Sequence, residues 1–161
     1  MQELQDQNLQ PDWIVLASSS GGTQAGLVLG AEQTGFQGRI LGISVDKSAD
    51  ELMQTIMALA NQTAAWLGID KKIESEDVLV NDAYCQAGYG ILQPVEAEAI
   101  RLFARTEGIL LDPVYTGRAA AGLIDLIRKG FFSPNETVLF WHTGGIPALF
   151  AEPYASALLG S

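Results

Sequence analysis

Apolar runs of strand length alternate with helical patterns along almost all of this 161-residue chain, and few folds satisfy that rhythm. The strand candidates are 12–17, 39–45, 78–81, 109–111 and 137–141, several with β-branched residues and apolar on both faces. Helical stretches lie between them at 23–34, 49–67, 94–107 and 117–130. Such an order predicts an α/β fold: a parallel sheet flanked by helices, in one domain over residues 1–161. End signals agree with these limits. Ser48 with Glu51 reads as a capping box, Pro94 suits a first helical position, and Gly108 and Gly130 suit helix stops.

In open parallel sheets, ligands lie outside the carboxyl ends of the strands, so the loops that follow strands carry the information. After strand 12–17 comes Ala17-Ser18-Ser19-Ser20-Gly21-Gly22-Thr23-Gln24-Ala25-Gly26, opening directly onto a helix. A helix start leaves backbone N–H groups unpaired and carries partial positive charge, which suits an anion. Gly21 and Gly22 would let the backbone approach that anion, with Ser19, Ser20 and Thr23 offering hydroxyl donors. The same segment also fits a tight turn whose small residues serve packing alone. It has neither the Gly-Lys-Ser/Thr ending of a P-loop nor Gly-x-Gly-x-x-Gly spacing, which disfavours a mononucleotide or a nicotinamide dinucleotide.

Three more strand-end loops should share the same rim: 81–90 with Tyr89, 112–117 with Tyr115, and 142–145 with Thr143. Each tyrosine could be a packed aromatic, or a positioned phenol that gives or takes a proton. His142, the only histidine, reads mainly as a structural hydrogen-bonding residue. No Cys/His pair stands at zinc-ligand spacing, so no metal is expected. Glu96, Glu98 and Glu107 read as a solvated helix face. Nothing beside Cys85 suggests a reactive thiol.

The net charge of −10, with no block of like charge, argues against nucleic acid and anionic membrane as partners. A single cysteine excludes an intrachain disulfide and suits a reducing compartment. The first residues have no basic and apolar regions of a signal peptide, and no run reaches membrane-spanning length. A cytoplasmic protein is expected.

Four motifs in order carry a family resemblance: Ser19 to Gly26, Gly88-Tyr89-Gly90, Glu107 through Ala119, and His142-Thr143-Gly144-Gly145. They resemble the pyridoxal-phosphate enzymes related to D-cysteine desulfhydrase and aminocyclopropane-carboxylate deaminase. Those belong to fold type II, with the tryptophan synthase β subunit, and the match is to the C-terminal half of the family. The resemblance implies a large-domain sheet of that type, with pyridoxal 5'-phosphate as cofactor and a small amino acid as substrate. It implies that Ser19, Ser20, Gly21, Gly22 and Thr23 hold the cofactor phosphate. Thr116 and Thr143 would lie near the pyridine nitrogen, and Tyr89 and Tyr115 would serve catalysis. Thr116, where the deaminase branch is expected to carry glutamate, points to the desulfhydrase branch, which converts D-cysteine to pyruvate, sulfide and ammonia.

The family's Schiff-base lysine belongs to the half without a counterpart here. Lys47, Lys71, Lys72 and Lys129 do not stand in apolar contexts that would lower an amine's pKa. The chain alone is therefore expected to be inactive, with a complementary N-terminal half or a second copy as partner. The alternatives are a deaminase of the aminocyclopropane-carboxylate type, or a non-catalytic phosphate-binding domain that self-associates.

Overall fold

The computed structural model describes residues 1–159. Four strands, β1 (Trp13–Ser18), β2 (Arg39–Ser44), β3 (Leu79–Asn81) and β4 (Val138–Trp141), form one all-parallel sheet in the order β3-β2-β1-β4. The helices are α1 (Gln2–Asp6), α2 (Gly22–Thr34), α3 (Ala49–Leu67), α4 (Pro94–Thr106), α5 (Thr116–Arg128) and α6 (Tyr154–Leu159). Short 3-10 turns occupy Ser75–Asp77 and Ile146–Phe150.

The chain builds outward from β1 to β2 and β3, then returns to add β4 on the other side of β1. That reversal sets up a crevice between the carboxyl ends of β1 and β4. The two-residue period of the strands divides the core. Ile14, Leu16 and Ile40 face α2 and α3 through Ala25, Val28, Leu52, Ile56 and Ala60. Trp13, Val15, Leu41 and Ile43 face α5 through Ala119, Leu123 and Leu126. A third cluster joins α4 and α5 to Leu149 and Leu158.

Helix ends follow physical rules, with one substitution. The Ser48 hydroxyl accepts the Glu51 N–H at 3.3 Å, giving half of the expected box. The next amide, Ala49 N–H, is taken by Asp82 from the loop after β3 at 2.8 Å. A full capping box forms instead at α4, where Gln93 and Glu96 satisfy each other's backbone amides.

Two expectations need correction. Residues 109–111 join no ladder, and two of their polar groups bond elsewhere. Ile109 N–H returns to Phe103 at the end of α4, and the Leu110 carbonyl receives His142 Nε2 at 3.0 Å. The segment buries Leu111 and leaves Ile109 and Leu110 outside. Glu96, read as part of a solvated face, is buried, and its carboxylate meets Arg118 at 2.9 Å. Glu98 does lie on the surface, paired with Arg128.

Gln24, fully buried in α2, donates from Nε2 to the Leu79 carbonyl at 2.8 Å. To reach across β2 it lies directly over Gly42, where any Cβ would collide with its amide. Gly42 is thus the close-approach glycine that lets α2 reach β3. Gly42→Ala should destabilise the fold by about 1–3 kcal/mol, since an over-packed site must shift. Gly26→Ala, with open space around its Cβ in the interior of α2, should stabilise by about 0.5–1 kcal/mol. Urea midpoints at unchanged slope measure both.

Candidate functional site

The crevice between β1 and β4 contains a hollow of about 370 Å³ lined by Ala17 through Gly21, Thr23, Tyr115 and Thr143 through Gly145. Its walls come from the loops after β1 and β4 and from the 112–117 turn before α5. A larger hollow of about 460 Å³ lies at the opposite, amino-terminal ends of the strands. Ligands of open parallel sheets bind at the carboxyl ends near the topological reversal, which selects the first.

One wall is the start of α2. Gly21 is its N-cap with φ +82, a conformation that L side chains rarely adopt, and a Cβ there would meet Ile56 at 2.9 Å. No side chain caps this end, and the first helical bond runs from Ala25 N–H to the Gly21 carbonyl. The earlier amides are therefore free to face a ligand. The Ser18 hydroxyl lines the hollow, is buried, and has no hydrogen-bond partner among the described residues. A buried, unpaired hydroxyl costs free energy, so its place beside an uncapped helix start points to an absent polar ligand. Ser19, Ser20, Gly21 and Thr23 line the same hollow; Gly22 has open space where a side chain would project.

The opposite wall is Tyr115, and the loop that carries it is built by Asp112. Its carboxylate accepts the N–H groups of Val114, Tyr115 and Thr116 and the Thr116 hydroxyl, at 2.6–2.8 Å. Gly145 packs on the same residue, where a Cβ would meet Asp112 at 2.8 Å. Tyr115 Oη lies 2.5 Å from Tyr89 Oη, with the rings edge-to-face. That bond, then burial, pushes the Tyr115 phenol up to about 12. At neutral pH Tyr115 therefore holds its proton.

Thr143 stands on the third wall. Gly144 and Gly145 follow it with φ of +94 and +91, which turns the chain sharply into the Ile146–Phe150 turn. His142 serves this turn: Nδ1 accepts the Gly144 N–H at 3.1 Å while Nε2 donates to the Leu110 carbonyl. It ties two loops together, as its structural reading expects.

Thr116 is different. Its hydroxyl is fully buried, donates to Asp112 Oδ1 and accepts the Asp112 N–H at 2.8 Å, and does not line the hollow. Both capacities of the hydroxyl serve the turn before α5. Sequence reasoning missed Ser18, Asp112 and Gly145. The Asp112-Pro113 pair, a turn signal, could have flagged the second.

No lysine projects an unpaired amine into this hollow. Lys71 and Lys72 bond to Glu32 and Glu74 at 2.7 Å, and those bonds raise both amines above their ordinary range, opposite to what a nucleophilic amine needs. Lys129 pairs with Asp125 at 2.6 Å. Lys47 donates to the Ser19 carbonyl at 2.8 Å and so braces the loop from outside. The residues present fit a phosphate and the adjacent polar edge of a cofactor, and leave its covalent anchor to other residues.

Among the described residues, no cluster of His, Cys, Asp and Glu could hold a metal ion, and no helix is long and apolar enough to cross a membrane. Comparisons with known proteins agree with the geometry. A family model described as pyridoxal-phosphate dependent enzyme matches residues 1–144. A 1-aminocyclopropane-1-carboxylate deaminase of Methylobacterium nodulans is 38% identical over 143 residues, covering 89% of this chain and 42% of the relative. A deaminase of the same name from Burkholderia ambifaria is 40% identical over 140 residues, 87% of this chain and 41% of the relative. The chain thus spans less than half the length of these curated relatives. A crystal structure described as an ACC deaminase homologue superposes with a TM-score of 0.85 at 38% identity, covering 98% of this chain and 46% of that one. A fungal L-serine ammonia-lyase from Rhizomucor miehei shares the fold, with a TM-score of 0.56 at 17% identity over 98% of this chain and 53% of that one. With a matching model over most of its length and a solved homologue that superposes on nearly all of it, this chain belongs to the pyridoxal-phosphate-dependent enzyme family of fold type II.

Proposed function

We propose that this chain is the phosphate-holding and proton-handling portion of a pyridoxal-phosphate lyase that deaminates 1-aminocyclopropane-1-carboxylate or a close small amino acid. The observation that carries the reading is the crevice that unites an uncapped helix start, the unpaired Ser18 hydroxyl and the Tyr115 phenol. Pyridoxal phosphate, when bound, supplies a ring that stabilises negative charge on a substrate carbon. The Gly22–Gln24 amides and the hydroxyls of Ser18, Ser19, Ser20 and Thr23 would bind its phosphate. Thr143 would contact the ring edge. Tyr115, hydrogen-bonded to Tyr89, would hold or deliver a proton at Oη beside the substrate. The remaining part of the family's length would supply the contacts these residues lack and would also cover the free edge of β4.

The deaminase relatives at 38–40% identity favour the aminocyclopropane substrate over the D-cysteine that Thr116 first suggests. Elimination from D-cysteine is the second reading. Its support is the resemblance in sequence: threonine follows Tyr115 where the deaminase branch is expected to carry glutamate.

Gly22→Asp tests the cradle. The new carboxylate meets no steric obstacle, and aspartate suits a helix start, so the fold should persist. Like charge within a few ångströms of a phosphate should weaken pyridoxal-phosphate affinity about tenfold or more, as read by titration of the cofactor's absorbance. Unchanged affinity would remove the cradle assignment. For substrate, the chain completed with the amino-terminal portion of a deaminase relative should release ammonia from 1-aminocyclopropane-1-carboxylate. Sulfide release from D-cysteine, with no ammonia from the cyclopropane, would transfer the assignment to the second reading.

A further inference from the structure

The Tyr89 phenol is over half exposed, and its edge contact with Tyr115 leaves its place to be decided largely by its own backbone. That backbone bends at both neighbours, Gly88 at φ +96 and Gly90 at φ +72, so the loop has little stiffness of its own. Yet its carbonyls are held from behind. Arg118, completely buried in α5, donates from Nη1 to the Gly88 carbonyl at 3.0 Å and from Nη2 to the Ile91 carbonyl at 2.8 Å. A second Nη1 bond runs to Val45, just past the end of β2, at 2.6 Å. Nε meets Glu96 at 2.9 Å. From α6, Tyr154 Oη donates to the Gly90 carbonyl at 2.6 Å.

We infer that Arg118, oriented by Glu96 and joined by Tyr154, is the positioning group that sets the Tyr89 phenol against Tyr115. The inference rests on the reading of the tyrosine pair as part of the site. The guanidinium is a flat fork with fixed donor directions, so one side chain sets the distance between β2's carboxyl end and both sides of Tyr89. Glu96 fixes the fork's orientation, since its other oxygen is committed to the Gln93 amide at the start of α4. Neither Arg118 nor Tyr154 lines the hollow, so each acts through Tyr89 rather than on a ligand. Lysine at position 118 would keep the charge but could not span three carbonyls and a carboxylate.

Nuclear magnetic resonance of the full chain at neutral pH tests this without cofactor or activity. Tyr89→Phe and Tyr115→Phe assign the ring signals, and the native chain should show a ring-to-ring Overhauser peak between the two tyrosines. Arg118→Lys and Tyr154→Phe should each lose that peak, while amide shifts of the sheet residues stay in place. Should Arg118→Lys not fold, Tyr154→Phe, which removes one hydroxyl at the surface end of the clamp, decides alone. Persistence of the peak in every folded variant would overturn the positioning role, leaving Arg118 as packing. Absence of the peak in the native chain would overturn the pairing itself. The enzymatic reading fails separately, through absent ammonia and sulfide release from the completed enzyme.

Discussion

Parallel pairing on both sides of β1 is the constraint from which the site follows. Parallel strands cannot be joined by tight turns, so each returns through a crossover and all carboxyl ends collect on one rim. Because the chain adds β2 and β3 on one side and β4 on the other, the loops after β1 and β4 diverge and leave a crevice between them. α2, leaving β1, points its amino terminus into that crevice. The loop after β4 closes it with two left-handed glycines, one seated on Asp112. Sheet topology thus sets the site before any catalytic side chain does.

The buried Arg118–Glu96 pair sets the other half of the geometry. Removing one partner of such a pair costs about 3–5 kcal/mol, whereas replacing both by apolar residues is often neutral. Net stability is therefore a weak account of why the charges sit there. Four of the five guanidinium donors reach acceptors, three of them main-chain carbonyls in two different loops. An apolar pair could fill the space but could not tie those carbonyls at fixed separations.

What was legible in the sequence depended on length and period. α3 matches its expected limits, and α2, α4 and α5 differ by one or two residues, because their patterns are long and end at glycine, proline or serine signals. Four strands were readable as runs apolar on both faces. The fifth failed because a run such as Ile109-Leu110-Leu111 shows its hydrophobicity but not where its amides bond. Glu96 failed for a similar reason. Only the fold reveals that Arg118, distant in sequence, lies beside it. α1 and α6, of five and six residues, are too short to show a period. The Ser/Gly loop was readable as a turn onto a helix start, but the Ser18 hydroxyl needed the packing around it to stand out. That the Thr116 hydroxyl bonds Asp112 was not readable either, because a motif names a residue without saying which way its hydroxyl turns.

The cradle's strength follows from ordinary magnitudes. A helix start contributes about 0.3–2 kcal/mol to a nearby anion, and each charge-assisted hydrogen bond about 1.5–3 kcal/mol. Against this stand the cost of immobilising a ligand, about 4–15 kcal/mol, and the repulsion of a chain carrying −10. Amides and hydroxyls at one end of a cofactor are therefore enough to orient its phosphate but not to retain it tightly. Retention has to come from contacts to the ring and from a covalent link, and the paired lysines of this chain supply neither. The division is physical as well as structural: in the proposed reading this chain would orient the phosphate and present the Tyr115 phenol, and tight binding would need contacts beyond those its own residues make.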